Sequence, residues 1–208
     1  MTGFDSDRLD WDKSGGLLPA IVQHARSGEV LMLGWMNREA LDATLAGGQV
    51  IFFSRSKQRL WRKGETSGHV LDVEAIRADC DGDTLLITAR PRGSTCHLGV
   101  SSCFGENAAP PLAFLAELDA LVERREAERP PESYSTALFE SGVQRIAQKV
   151  GEEAVETALA AVAQNDEALI GEAADLLYHL VVLLRARRLS LSDASELLRQ
   201  RHEARIRV

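Results

Sequence analysis

The chain has 208 residues, of which 45% are hydrophobic and 26% charged, enough apolar material for one large domain or two small ones. A net charge of −7 argues against a broad phosphate-backbone footprint, which is usually basic, so no nucleic acid is expected and small molecules are the better ligands. Three cysteines cannot pair off completely, residues 1–13 lack an apolar signal core, and the most apolar stretch, 176–184, is too short to span a membrane. These features predict a cytoplasmic protein with no membrane partner.

In chain order, residues 17–25 and 30–36 flank Arg26-Ser27-Gly28-Glu29 as a predicted hairpin. Asn37 is the expected cap of a helix over 38–46, closed by Gly47-Gly48. Residues 49–54 and 70–78 read as strands, and 84–90 follows Asp81-Gly82 as a further hairpin partner. Ala108-Ala109-Pro110-Pro111 interrupts the pattern and is the predicted linker. Beyond it the periodicity is helical throughout. Helices are expected over 112–129, from a cap at Ser135 or Thr136 to about 163, over 167–188, and over 192–206 with Ser192 as cap. The predicted fold is α+β in two domains, β-rich over 1–107 and all-α over 112–208.

The three cysteines lie in the β-rich half, at Cys80, Cys96 and Cys103. Three thiolates leave the fourth tetrahedral position of zinc open, and zinc then makes hydroxide available near neutral pH. In a regular strand Asp79, Asp81 and Asp83 point one way, as oxygen ligands suited to Mg²⁺. Cys80 points the other way, towards Cys96 and Cys103 or towards a second subunit. Residues alone also admit buried free cysteines and a tight Asp81-Gly82 turn. The segments 53–57, 60–69 and 91–95 mix cations, hydroxyls and glycines as a phosphate-binding loop does. They supply Arg55, Ser56, Trp61, Lys63, Ser67 and Arg92 as candidate substrate contacts.

Gly34-Trp35-Met36-Asn37, Phe53-Ser54-Arg55-Ser56, the run from Leu60 to His69, Asp79-Cys80-Asp81-Gly82-Asp83 and the run from Cys96 to Phe104 closely resemble phosphoribosyl-AMP cyclohydrolase. The resemblance covers most of residues 15–105. It implies hydrolytic opening of the adenine ring of N1-phosphoribosyl-AMP, the third step of histidine biosynthesis. It also implies a homodimer in which Cys80 of one subunit joins Cys96 and Cys103 of the other around zinc, with Asp79, Asp81 and Asp83 holding Mg²⁺. Attack would fall on C6 of the purine and open the N1–C6 bond, with His69 or His97 as proton shuttle. Arg55, Lys63 and Arg92 would meet the two phosphates.

In the helical half, Lys149, Glu152, Glu153 and Glu156 share one helix face, and Glu172 and Asp175 lie three apart on the next helix. Glu172 and Asp175 sit among so many apolar residues that their helix is expected to be buried nearly all round. Charges there need a partner, and five carboxylates facing across two helices suit Mg²⁺. A solvated face with Lys149–Glu153 pairing is the plain alternative. Glu-Glu-x-x-Glu followed by Glu-x-x-Asp resembles the all-α nucleotide pyrophosphohydrolases. More narrowly, residues 133–139, 149–156 and 172–180 resemble phosphoribosyl-ATP pyrophosphatase, with Ser135 where threonine is the commoner hydroxyl. The resemblance implies Mg²⁺ on Glu152, Glu153, Glu156, Glu172 and Asp175, a catalytic Glu153, and Lys149 against the substrate.

Together the two resemblances imply a bifunctional hydrolase acting on nucleotides. A zinc nucleobase deaminase is disfavoured because His-x-Glu and Pro-Cys-x-x-Cys are both absent. A non-catalytic zinc-stabilised module on a helical dimerisation domain is the other rival, and a fourth protein ligand on the zinc would favour it.

Overall fold

The computed structural model describes residues 4–105 and 109–206. The chain divides between residues 113 and 114 into two compact units. Ala108 of the expected linker lies outside the described residues. Pro110 closes a turn onto the next helix through its carbonyl, which accepts from the Ala113 N–H at 2.8 Å.

The first unit opens with a 3₁₀ turn at Ser6–Arg8 and then follows the order β1 (Leu18–His24), β2 (Val30–Met36), α1 (Arg38–Gly47), β3 (Ile51–Ser54), β4 (Arg59–Arg62), β5 (Leu71–Ala78), β6 (Leu85–Pro91). Four strands form one sheet in the order β2-β1-β6-β5, and β3 pairs with β4 in a second. The two expected hairpins, β1/β2 and β5/β6, are both antiparallel, and a parallel β1/β6 pairing joins them. Alternation places Leu18, Ala20 and Val22 of β1 and Leu85, Ile87 and Ala89 of β6 in the core, as period two requires. Asn37 caps α1, its Oδ1 accepting from the Ala40 N–H at 2.9 Å, and Gly48 ends it at φ 67°. Strand β4 falls inside the segment read from sequence as a loop. Its Trp61 stacks on Phe52 of β3 with ring centroids 5.7 Å apart, so packing across the pair supplies what a four-residue strand lacks in pattern.

Gly34 sets the closest approach in this core. A Cβ at Gly34 would lie 2.3 Å from the Phe52 ring. Gly34→Ala is therefore expected to destabilise the first unit by about 1–3 kcal/mol through overpacking. The check is denaturant unfolding followed by tryptophan fluorescence, since all three tryptophans belong to this unit.

The second unit is helical: α2 (Ala113–Glu128), α3 (Tyr134–Ser141), α4 (Val143–Ala163), α5 (Asp166–Ala186) and α6 (Leu191–Ile206). The single helix expected from Ser135 or Thr136 to 163 is two helices. Ser133 is the cap, and Gly142 breaks the run at φ 84°, ψ 164°, which no helical residue adopts. The cap expected at Ser192 is supplied by Ser190, whose Oγ accepts from the Asp193 N–H at 3.3 Å. Val122, Leu138, Ile146, Val181 and Val182 form the core. Beside it the Arg185 guanidinium is fixed between Asp119 and Glu123. The expectation that α5 is buried nearly all round does not hold within the chain, because Ile170 is 68% exposed and burial is confined to the C-terminal half around His179, Val181 and Val182. No helix among the described residues is long and apolar enough to cross a membrane.

Candidate active sites

The loop between β5 and β6 gathers Asp79, Asp81 and Asp83, with one carboxylate oxygen of each inside a 4.8 Å cluster. Strand alternation is not the cause, since β5 ends at Ala78. The loop wraps instead. Asp79 Oδ1 accepts from the N–H groups of Asp83 and Thr84, both at 3.1 Å, and Gly82 turns at φ 77°. Lys13 bridges Asp81 and Asp83, with Nζ 2.6 Å from Asp83, and these bonds hold the Asp83 carboxyl below its ordinary range. Three converging carboxylates answered by one ammonium fit a divalent cation with oxygen ligands. Cys80 is exposed and lines the hollow of this acidic loop.

Cys96 and Cys103 line a different cavity, of about 560 Å³, together with Trp61, Lys63, Ser67, His69, Ser94 and His97. Desolvation first, and then Cys96, push the Cys103 thiol above its ordinary range. Lys63 is only 7% exposed, and its ammonium donates to the His69 carbonyl at 3.2 Å. Burial lowers its pKa, an effect the neighbouring Cys103 and Cys96 partly oppose. A soft-donor pair beside a buried ammonium is a chemically coherent half-site. Among the described residues, no metal-competent group of three within one chain includes Cys80 with Cys96 and Cys103.

The remaining sequence-derived contacts lie outside this cavity lining. Arg55 sits over the Trp35 ring at 4.6 Å, Ser56 is within 3.5 Å of Ser54, and Arg92 pairs with Asp72 at 2.5 Å. The two histidines differ. His97 is exposed, with Nδ1 3.9 Å from Cys96 Sγ, whereas His69 is half-buried with Nδ1 3.0 Å from Ser94 Oγ. Ser94 and Lys13 carried no signal of their own in the sequence beyond their places in a Gly-Ser loop and a charged N-terminal segment.

In the helical unit, α4 supplies Glu153 and Glu156 and α5 supplies Glu172, again with one oxygen of each within 4.8 Å. Glu153 is 5% exposed, and Lys149 Nζ lies 2.8 Å from it. Burial, followed by the charges of Glu156, Glu153 and Asp175, pushes the Glu172 carboxyl up. Glu152 turns aside to Lys149 and Gln148, both at 2.8 Å, and Asp175 is outside the three-oxygen group. The sequence reading passed over a buried imidazole here. His179 Nδ1 donates to the Asp175 carbonyl at 2.9 Å and lies 3.7 Å from Glu153, while Nε2 is 3.1 Å from the Tyr134 hydroxyl. Its i+4 spacing from Asp175 was the available signal.

A thiol pair and a carboxylate loop on one unit, and crowded carboxylates on the other, give a two-domain protein with separate groups that could hold metal ions. Residues 32–105 match the family Phosphoribosyl-AMP cyclohydrolase, and residues 115–202 match Phosphoribosyl-ATP pyrophosphohydrolase. The chain is 64% identical over 197 residues to the histidine biosynthesis bifunctional protein HisIE of Xanthomonas campestris, covering 95% of this chain and 94% of that one. It is 66% identical over 194 residues to the protein of that name from Xylella fastidiosa, covering 93% of each. The Escherichia coli counterpart is 58% identical over 195 residues, covering 94% of this chain and 96% of its own. The chain belongs to this family of bifunctional histidine-biosynthesis enzymes, its cyclohydrolase region preceding its pyrophosphohydrolase region.

Proposed function

We propose that residues 112–208 convert phosphoribosyl-ATP to phosphoribosyl-AMP and pyrophosphate, and that residues 1–107 then open the adenine ring of that product, the two parts being joined by 108–111. The observation that carries the reading is the pairing of two unlike donor sets on two units: crowded carboxylates on one, and a thiol pair with a carboxylate loop on the other.

In the helical domain Glu153, Glu156 and Glu172 would hold Mg²⁺, with Asp175 and Glu152, the latter turned to Lys149 and Gln148, as further acids of the motif. Mg²⁺ bound there supplies charge stabilisation for the substrate's phosphates. Lys149, already against Glu153, orients that carboxylate and offers its ammonium to the triphosphate chain. Glu153 is the base that positions the attacking water, and burial keeps bulk solvent from competing for it.

In the β-rich domain Cys96 and Cys103 of one subunit, with Cys80 of a second, hold zinc, and Asp79, Asp81 and Asp83 hold Mg²⁺. Zinc supplies Lewis-acid activation of water near neutral pH. The separation of Cys80 from the thiol pair within the chain supports this shared arrangement and hence a homodimer. The cavity walls bind the purine through Trp61 and Ser67, and the buried Lys63 ammonium belongs with the groups that meet the phosphates. The guanidinium groups of Arg55 and Arg92, with Ser56, meet the phosphates. His69 moves the proton between the added hydroxyl and N1, with His97 the second choice because it is exposed and held only loosely by Cys96. Free thiols accord with a reducing, cytoplasmic setting.

The test is one incubation with phosphoribosyl-ATP, following pyrophosphate release and ring opening separately. Gentle EDTA treatment and gel filtration are expected to silence both, and Mg²⁺ alone to restore both while zinc stays bound. A thiolate-competing chelator leaves pyrophosphate release recoverable by Mg²⁺ but makes ring opening depend on added zinc. Ring opening in protein shown by metal analysis to hold no zinc would sink the thiol-site reading.

A further inference from the structure

His69 is held more tightly than a cavity-lining histidine needs to be. On its side-chain face, Ser94 Oγ lies 3.0 Å from Nδ1. Gly93, at φ 103°, has no side chain to intrude: a Cβ there would lie 2.8 Å from Cδ2 and 3.0 Å from both Cγ and Nε2. The His69 ring therefore occupies the space that a side chain at position 93 would need. On the main-chain face, the Lys63 ammonium donates to the His69 carbonyl at 3.2 Å. Gly64, at φ 82°, approaches so closely that a Cβ would lie 2.4 Å from the His69 carbonyl carbon and oxygen. The His69 N–H donates to Ser67 Oγ at 3.3 Å. Two glycines in left-handed conformations and three polar contacts thus converge on one residue from two separate loops. With Nδ1 occupied, Nε2 has no hydrogen-bond partner among the described residues. His69, Lys63 and Ser94 all line the cavity that holds Cys96 and Cys103.

We propose that Ser94 is a positioning residue for ring opening, its hydroxyl fixing the His69 imidazole on the Gly93 surface so that Nε2 is free for the substrate. This rests on the role given to His69 above. Water oxygen bonds to C6 of the cationic purine, and one of its protons goes to solvent. Nε2 takes the remaining hydroxyl proton as the carbonyl forms and delivers it to N1. The N1–C6 bond breaks with its electron pair going to N1, and the imidazole is returned unchanged. For Nε2 to accept that proton the neutral ring must carry its hydrogen on Nδ1, so Nδ1–H donates to Ser94 Oγ, and this bond fixes both the tautomer and the ring rotation that the two-way transfer needs.

The test is Ser94→Ala, with Ser94→Thr as the variant that keeps the hydroxyl. S94A is expected to lower the kcat of ring opening about tenfold or more at an unchanged KM, a fraction of what general acid–base catalysis contributes, and S94T to restore most of it. Metal-free protein carrying ¹⁵N-labelled histidine rings gives a second readout. In S94A the His69 signals should move towards those of free imidazole while the other four histidines stay in place. A normal kcat, a rise in KM alone, or a lowered kcat with unmoved His69 signals each overturns the proposal. His69→Asn separates the two layers. Ring opening that survives H69N removes the role of His69 itself, whereas an inactive H69N beside a normal S94A removes only the clamp.

Discussion

Glu153→Gln is expected to reduce pyrophosphate release at least about 100-fold, the scale on which a single preorganised electrostatic group acts, while ring opening of supplied phosphoribosyl-AMP changes little. The substitution keeps the side-chain volume and removes one negative charge. At this position the charge is the point. Glu153 is buried, Lys149 lies 2.8 Å from it, and Glu156 and Glu172 crowd it from the same and the facing helix. An amide cannot balance Lys149 and a bound divalent ion together, and its N–H₂ end would face the cation. Glu156→Gln, on an exposed member of the trio, should lose less. Cys103→Ser is expected to do the reverse: ring opening falls at least as far while pyrophosphate release is retained, because the two donor sets belong to separate compact units. Coupled assays on both substrates give the answer directly. A folded Cys103→Ser protein that also fails to release pyrophosphate would show that the two activities depend on one another.

The two sites were not equally legible in the sequence, and the difference follows the range of the interactions. Local features came through: the Asn37 cap, the period-two burial of Leu18, Ala20 and Val22, and the helical spacing that puts Glu153 and Glu156 on one face. Features requiring distant partners did not. The parallel β1/β6 pairing brings residues sixty-five positions apart into register, and nothing in either strand names the other. Strand β4 exists because Trp61 meets Phe52. Gly142 is one glycine in a helical pattern, and only its backbone angles reveal that it ends one helix and begins another. At the sites, residue types were readable and directions were not. The carboxylates of Asp79, Asp81 and Asp83 do converge, through a turn stapled by Asp79 rather than through strand alternation. Glu152 belongs to the acidic motif yet turns to Lys149 and Gln148. Tyr134 and His179, forty-five positions apart, meet only in the folded unit.

Mixing Cys80→Ala chains with Cys96→Ala chains should recover ring opening from two proteins that each have almost none. The chain itself motivates this. Cys96 and Cys103 line one cavity, while Cys80 stands on the acidic loop and lines another hollow. Two thiolates bind zinc far less well than three, so in the proposed shared-zinc homodimer neither variant alone would have a working site. In a mixed dimer, one site combines Cys80 of one chain with Cys96 and Cys103 of the other, and the second site lacks both substituted thiols. Random pairing under two-fold symmetry makes half the dimers mixed, each with one of two sites intact, so about a quarter of wild-type activity is expected. Zinc content should rise in step. Because desolvation raises the Cys103 thiol, metal uptake must displace a proton at neutral pH, and zinc retention in the mixed dimer should improve as pH rises and fail in acid. Exchange of subunits is monitored independently with two affinity tags. If tagged chains exchange fully and neither zinc nor activity returns, Cys80 acts within its own chain, and the acidic loop must then move to bring it to the Cys96–Cys103 pair.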